Sequence, residues 1–164
     1  MLKGLNPLLT PDLLHALAEM GHGDTIAIVD RNFPAYSLSD RVIHLATAGV
    51  VETGEAIFSL LPLDTFVPSP LARMEIVGDP DTIPDVQAEF IRAASRSADR
   101  TLGVEPIERH AFYARTKGAF AVVKTGETRP YGCFLAVKGV LPEPEPVRPP
   151  ESATSPSTTT PYRP

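Results

Sequence analysis

His22 stands between Gly21 and Gly23, in a turn ahead of the apolar run Thr25–Val29, which ends at Asp30. An ordinary histidine, with a pKa near 6.5, both accepts and donates protons at neutral pH. The flanking glycines leave it space, but solvated loop histidines are common, so spacing alone leaves the functional and the bland readings of His22 level. Thr25–Val29 is short, apolar and β-branched between turn residues, the pattern of a strand buried on both faces. Such strands belong to sheets covered by helices on either side, and ligands of those sheets bind beyond the strands' carboxyl ends. Asp30 lies at that end, where a carboxylate can accept from a ligand or cap the following turn. His22 precedes the strand. Whether it reaches the same pocket does not follow from spacing.

Other chemistry is sparse. The chain has no GxGxxG, P-loop, HExxH or GxSxG signature. None of His15, His22, His44 and His110 pair up like zinc ligands on a helix, and Cys133 is the single cysteine. We therefore expect no metal and no cofactor. A formal charge of −5, without a Lys/Arg cluster, argues against a nucleic-acid partner. No run approaches the roughly 18 apolar residues of a membrane span, and no leader-like apolar core opens the chain. A cytoplasmic protein is the expectation.

The elements that must position these residues alternate. Thr10-Pro11-Asp12 starts a helix, with threonine as cap, proline at the first position and an acid at the positive end, and Gly21 stops it. A loop is expected over 32–40, a strand over 41–45, and a helix over 53–61 that Gly54 weakens by ~1 kcal/mol. A strand over 71–77 precedes an amphipathic helix, Asp85–Ser97, with Val86, Phe90 and Ala94 as its apolar stripe and Gln87, Arg92 and Arg96 polar. A strand around Ile107 leads to Arg109. A helix over 111–118 and strands over 120–124 and Phe134–Val137 complete the set. The fold class this implies is α/β. A chain of 164 residues, 43% of them apolar, suits one core. Beyond residue 141 proline, serine and threonine dominate, so 142–164 reads as a disordered tail on a 1–141 domain.

Met20-Gly21-His22-Gly23-Asp24, Asp30 and Asn32-Phe33-Pro34 together resemble the L-fucose mutarotase and D-ribose pyranase family. The similarity continues through Leu60-Leu61-Pro62-Leu63-Asp64, Phe112-Tyr113-Ala114-Arg115, Lys124-Thr125-Gly126-Glu127, Tyr131-Gly132 and Lys138-Gly139-Val140. None of these motifs is specific alone; their order along one chain is. Arg109 and the Phe-Tyr after it place the chain nearer the fucose branch.

The resemblance implies a three-layer α/β/α domain around a mixed, largely parallel sheet, assembled as a homo-oligomer, typically a decamer with sites near subunit boundaries. It implies that His22 transfers protons and that Asp30, Arg109 and the segment containing Tyr131 and Cys133 hold a small free sugar. Anomer exchange opens a cyclic hemiacetal, lets the aldehyde carbon rotate and recloses it. It removes a proton from the anomeric hydroxyl and returns one to the ring oxygen, which histidine can do without a cofactor. Left to themselves, Arg109 reads equally as a surface ion pair, Tyr131 as a core wall, and Asp24 as a turn former. Three departures stand out. Cys133 replaces the family's usual asparagine, His44-Leu45-Ala46-Thr47 replaces a common Arg-Ala-Asp-Gly, and the tail is an extension. The alternative to an enzyme is a non-catalytic sugar-binding or sensing module on the same fold.

Overall fold

Along Thr25–Val29, strand β1, successive side chains take opposite sides: Ile26 and Ile28 enter one apolar cluster, Ala27 and Val29 another. Both clusters are buried, so the strand runs through the middle of the molecule, as its composition implied. The computed structural model describes residues 2–141; the expected tail, 142–164, lies outside them. The remaining elements follow in order: α1 (Pro11–Glu19) ahead of β1, then α2 (Ala35–Leu38), β2 (Val42–Leu45), α3 (Val50–Phe58), β3 (Leu71–Met74), α4 (Asp85–Ser97), β4 (Val104–Ile107), α5 (Arg109–Lys117), β5 (Ala121–Thr125) and β6 (Phe134–Val137).

The six strands form one sheet in the order β2-β5-β1-β6-β3-β4. β6 runs antiparallel to β1 and β3, while the other neighbours are parallel. The carboxyl ends of five strands and the amino end of β6 therefore share one side of the sheet. Residues of α1, α3 and α4 pack with Ile26, Ile28, Leu71 and Phe134 on one face; those of α2 and α5 pack with Ala27, Val29, Met74 and Leu135 on the other. This is the expected three-layer α/β/α fold around a mixed, mostly parallel sheet. Pro106 sits in β4, an edge strand, where its missing N–H breaks no ladder.

The helix starts obey the capping signals. Thr10 Oγ1 accepts from the Leu13 N–H at 3.3 Å, with Pro11 at the first position. Asp24 accepts from the Gly21 N–H at 2.7 Å, closing the turn that carries His22 and confirming Asp24 as a turn former. Most bounds shift by a residue or so, β3 stops at Met74 rather than 77, α3 stops at Phe58 rather than 61, and three further differences stand out. The loop over 32–40 contains the short helix α2. α3 begins at Val50 rather than 53, because the Glu52 carboxylate accepts from the Gly49 N–H at 2.8 Å and caps it earlier. α5 begins at Arg109 rather than 111, because Glu108 accepts from the N–H groups of His110 and Ala111 at 2.7 and 3.1 Å. Gly54, unfavourable for the helix on propensity, is where α3 meets α4. A Cβ there would lie 2.6 Å from Phe90, whose ring stacks on Phe134 at 3.7 Å.

Candidate active site

Asp30 follows β1, Cys133 precedes the antiparallel β6 beside it, Met74 ends β3 and Arg109 follows β4. The topology thus brings residues distant in sequence to the carboxyl side of the sheet. They line a cavity of about 210 Å³ together with Asn32, Phe33, Tyr113, Pro130 and Tyr131. Asp30 is buried and its two oxygens differ. Oδ1 accepts from the N–H groups of Asn32 and Phe33 at 2.9 and 3.1 Å, so Asp30 does cap its turn. Among the described residues Oδ2 has only the Cys133 thiol, donating at 3.5 Å, and keeps acceptor capacity for a ligand. Burial raises the Asp30 pKa above the usual carboxylate value, against the pull of the backbone N–H bonds. Burial likewise pushes the Cys133 thiol well up, so it stays protonated and serves as a weak donor.

Arg109, at the start of α5, is exposed and donates to Nε2 of His110 at 3.2 Å. Among the described residues it makes no ion pair with a carboxylate, which leaves its fork available to a ligand. Tyr113 packs edge-on against Phe33, with ring centroids 5.4 Å apart, forming an aromatic wall. Tyr131 adopts φ of 63°, a left-handed conformation uncommon for a bulky side chain. A roomier hollow of about 370 Å³ under the N-terminal arm is lined by leucines, prolines, Asn6 and Thr10 and contains no titratable group.

The loop leading to Tyr131 is braced by an ion pair. The side chain of Arg129 donates to both oxygens of the buried Glu127 at 2.9 Å, and also to Glu89 of α4 at 2.7 Å. These bonds hold the Glu127 pKa down at about 2, from an ordinary 4.5. Between those values the unfolded chain binds a proton at residue 127 that the folded chain does not, so stability falls as pH falls across that window. Glu127→Gln should therefore show a shallower acid limb in thermal melts over that range. An acid limb as steep as wild type would remove Glu127 from the account.

His22 lies at the other side of the sheet, before β1. At about 3.3 Å per residue the strand alone separates it from Asp30 by roughly 13 Å. Its surroundings are built. Nε2 lies 3.3 Å from Oδ1 of Asp64, and its ring meets Phe66 edge-on at 5.4 Å between centroids. Asp64 is buried, and the Phe66 N–H, donating at 3.0 Å, holds its carboxyl below the usual range. An ionised carboxylate only accepts, so Nε2 carries the hydrogen and Nδ1 is left as the free acceptor. Gly139 lets the end of β6 approach closely, since a Cβ there would lie 2.8 Å from the Asp64 backbone.

The structure therefore gathers Asp30, Arg109, Tyr131 and Cys133 into one pocket and leaves His22, within a single chain, outside it. The sequence alone gives Asp64 no role, because nothing marks an acid after Pro62-Leu63 as buried until β6 packs over it. Among the described residues no three His, Cys, Asp or Glu side chains cluster as for a metal, and no helix is long and apolar enough to cross a membrane.

The profile of the RbsD / FucU transport protein family matches residues 3–141. The chain belongs to this family. An L-fucose mutarotase of Actinobacillus pleuropneumoniae serotype 5b (strain L20) is 43% identical over 142 residues, which cover 87% of this chain and 99% of that protein. The crystal structure of the fucose mutarotase from Streptococcus pneumoniae, in complex with L-fucose, is 34% identical, with a TM-score of 0.80 over 85% of this chain and 99% of that one. FucU from Bifidobacterium longum is similar to the same degree, at 34% identity and a TM-score of 0.80. Members of the RbsD / FucU family thus share both the sequence pattern and the three-layer fold described above.

Proposed function

We propose that the protein interconverts the α and β anomers of a free monosaccharide, with L-fucose as the first substrate to test. The observation that carries this is the pocket at the carboxyl side of the sheet, where an acceptor (Asp30), a forked donor with no carboxylate partner among the described residues (Arg109) and an aromatic wall converge. It occurs in a chain 43% identical to an L-fucose mutarotase. Vicinal sugar hydroxyls offer donors to Asp30 Oδ2 and acceptors to the guanidinium. The cavity's volume suits one small sugar rather than a chain of them.

His22 is the proton carrier in this reading. Its free Nδ1 takes the proton of the anomeric hydroxyl as the bond from C1 to the ring oxygen breaks. The imidazolium returns a proton to that oxygen, the carbonyl rotates, and the reverse steps close the other anomer. Ionised Asp64 orients the ring and stabilises the imidazolium. Because His22 and the pocket lie at opposite ends of β1, the complete site joins His22 of one copy to the pocket of another. That requires a closed homo-oligomer, which we take to be a decamer working in the cytoplasm. Saturation-transfer NMR of anomeric protons across a panel of aldoses tests the activity directly. Absence of exchange with every sugar would overturn it.

The distance from His22 to the pocket also favours a second reading. A chain that does not assemble would bind sugar without the proton carrier and act as a binding or sensing module. Light scattering separates the two, since a monomer would leave only the second.

Cys133 bears on affinity. Its carbonyl already accepts from the Met74 N–H at 3.1 Å and its thiol already donates to Asp30 Oδ2 at 3.5 Å, so the residue brings no strong, uncommitted side-chain group to a ligand. An asparagine would supply a strong donor and acceptor where the thiol supplies one weak donor. Cys133→Asn is expected to lower the half-saturation for L-fucose by about threefold to tenfold, the value of one neutral hydrogen bond, with little change in maximal rate. An unchanged half-saturation would show that the side chain does not touch the sugar.

A further inference from the structure

Gln87 was expected on the polar face of α4, yet it is fully buried and makes three hydrogen bonds. Its amide nitrogen donates to the carbonyls of Met74 and Tyr131 at 2.7 and 2.8 Å. Its amide oxygen accepts from Arg73 Nη1 at 3.2 Å. Arg73 is itself buried on β3, donates also to the Pro80 carbonyl at 2.6 Å, and has no carboxylate partner among the described residues. A guanidinium only donates, so it settles which end of the Gln87 amide is oxygen and aims the nitrogen at the two carbonyls. Both carbonyls belong to residues that line the carboxyl-side pocket, whereas Gln87 itself does not. Tyr131 is held there in its left-handed conformation.

We propose that Gln87 is a positioning residue for the sugar pocket: pinned by Arg73, its amide locks Tyr131 in the left-handed conformation that sets residues 131–133 against the ligand. A buried arginine without a carboxylate is costly to keep, and orienting this amide gives it a purpose. The inference rests on the pocket being the sugar-binding half of the site.

Gln87→Glu tests it. The variant keeps the size of the side chain and an acceptor for Arg73, but an ionised carboxylate donates nothing to the two carbonyls. Expected are a half-saturation for L-fucose raised about tenfold or more with maximal rate within about twofold, since two donated hydrogen bonds are lost and proton transfer is untouched. Amide hydrogen exchange at residues 131–133 should accelerate as well. In a Tyr131→Gly background, where glycine takes the left-handed conformation unaided, Gln87→Glu should move half-saturation less than about twofold. Unchanged half-saturation and exchange in Gln87→Glu would overturn the proposal. So would an undiminished effect in the glycine background, which marks a merely structural role. If Gln87→Glu does not fold, the pair Arg73→Met with Gln87→Met removes the buried charge along with the donors and is read in the same way. Should wild type not exchange fucose anomers, the enzymatic reading falls, and hydrogen exchange at 131–133 still decides whether Gln87 positions the segment.

Discussion

His22→Ala slows L-fucose anomer exchange by about 10²–10⁴-fold, the contribution of a positioned acid/base group, and leaves the fold and the assembly intact. The side chain is 48% exposed, lies between two glycines, and gives up one 3.3 Å hydrogen bond and one edge contact with Phe66. Asp64 keeps its bond from the Phe66 N–H, so no buried carboxylate is stranded, and the loss in stability should stay within about 1 kcal/mol. Saturation-transfer NMR measures the rate and a thermal melt checks the fold. Exchange at the wild-type rate in the variant would assign proton transfer to another group, and Tyr113 on the pocket wall would be examined next.

Mixing two inactive variants restores activity if the site is shared between copies. In His22→Ala the pocket is intact; in Asp30→Asn the proton carrier is intact. When the two chains are unfolded together and reassembled in equal amounts, a boundary that joins the intact pocket of one to the intact histidine of the other is complete. Random placement around a closed ring makes about one boundary in four complete, so roughly a quarter of wild-type activity returns from parents that have almost none. The same experiment shows no recovery if each chain works alone, because no single copy then has both groups. Recovery from separately folded variants mixed without unfolding would instead measure how readily the subunits exchange.

Much of this was legible in the chain. Thr25–Val29 announced a doubly covered strand because a short β-branched run has nowhere else to put both its faces. Thr10-Pro11 and the stripe Val86, Phe90 and Ala94 announced helices because capping and 3.6-residue periodicity are local properties. The family resemblance named Asp30, Arg109, Tyr131 and Cys133 together, and the structure places all four on one pocket. Tertiary structure decided what local rules do not encode. β6, last of the described strands, slips antiparallel between β1 and β3, and that insertion sets Cys133 beside Asp30 and lays Gly139 over Asp64. Gln87 looked solvent-facing because its helix position is polar by type. It is buried with its amide satisfied by Arg73 and by the Met74 and Tyr131 carbonyls, and burial of a satisfied amide leaves no trace in hydrophobic periodicity. His22 and Asp30 are eight positions apart in the chain, yet a fully extended strand stands between them. The sequence alone determined which residue types could move a proton and grip a sugar. The fold determined that one copy of the chain holds them at opposite ends of the same sheet, because an extended strand converts sequence separation directly into distance.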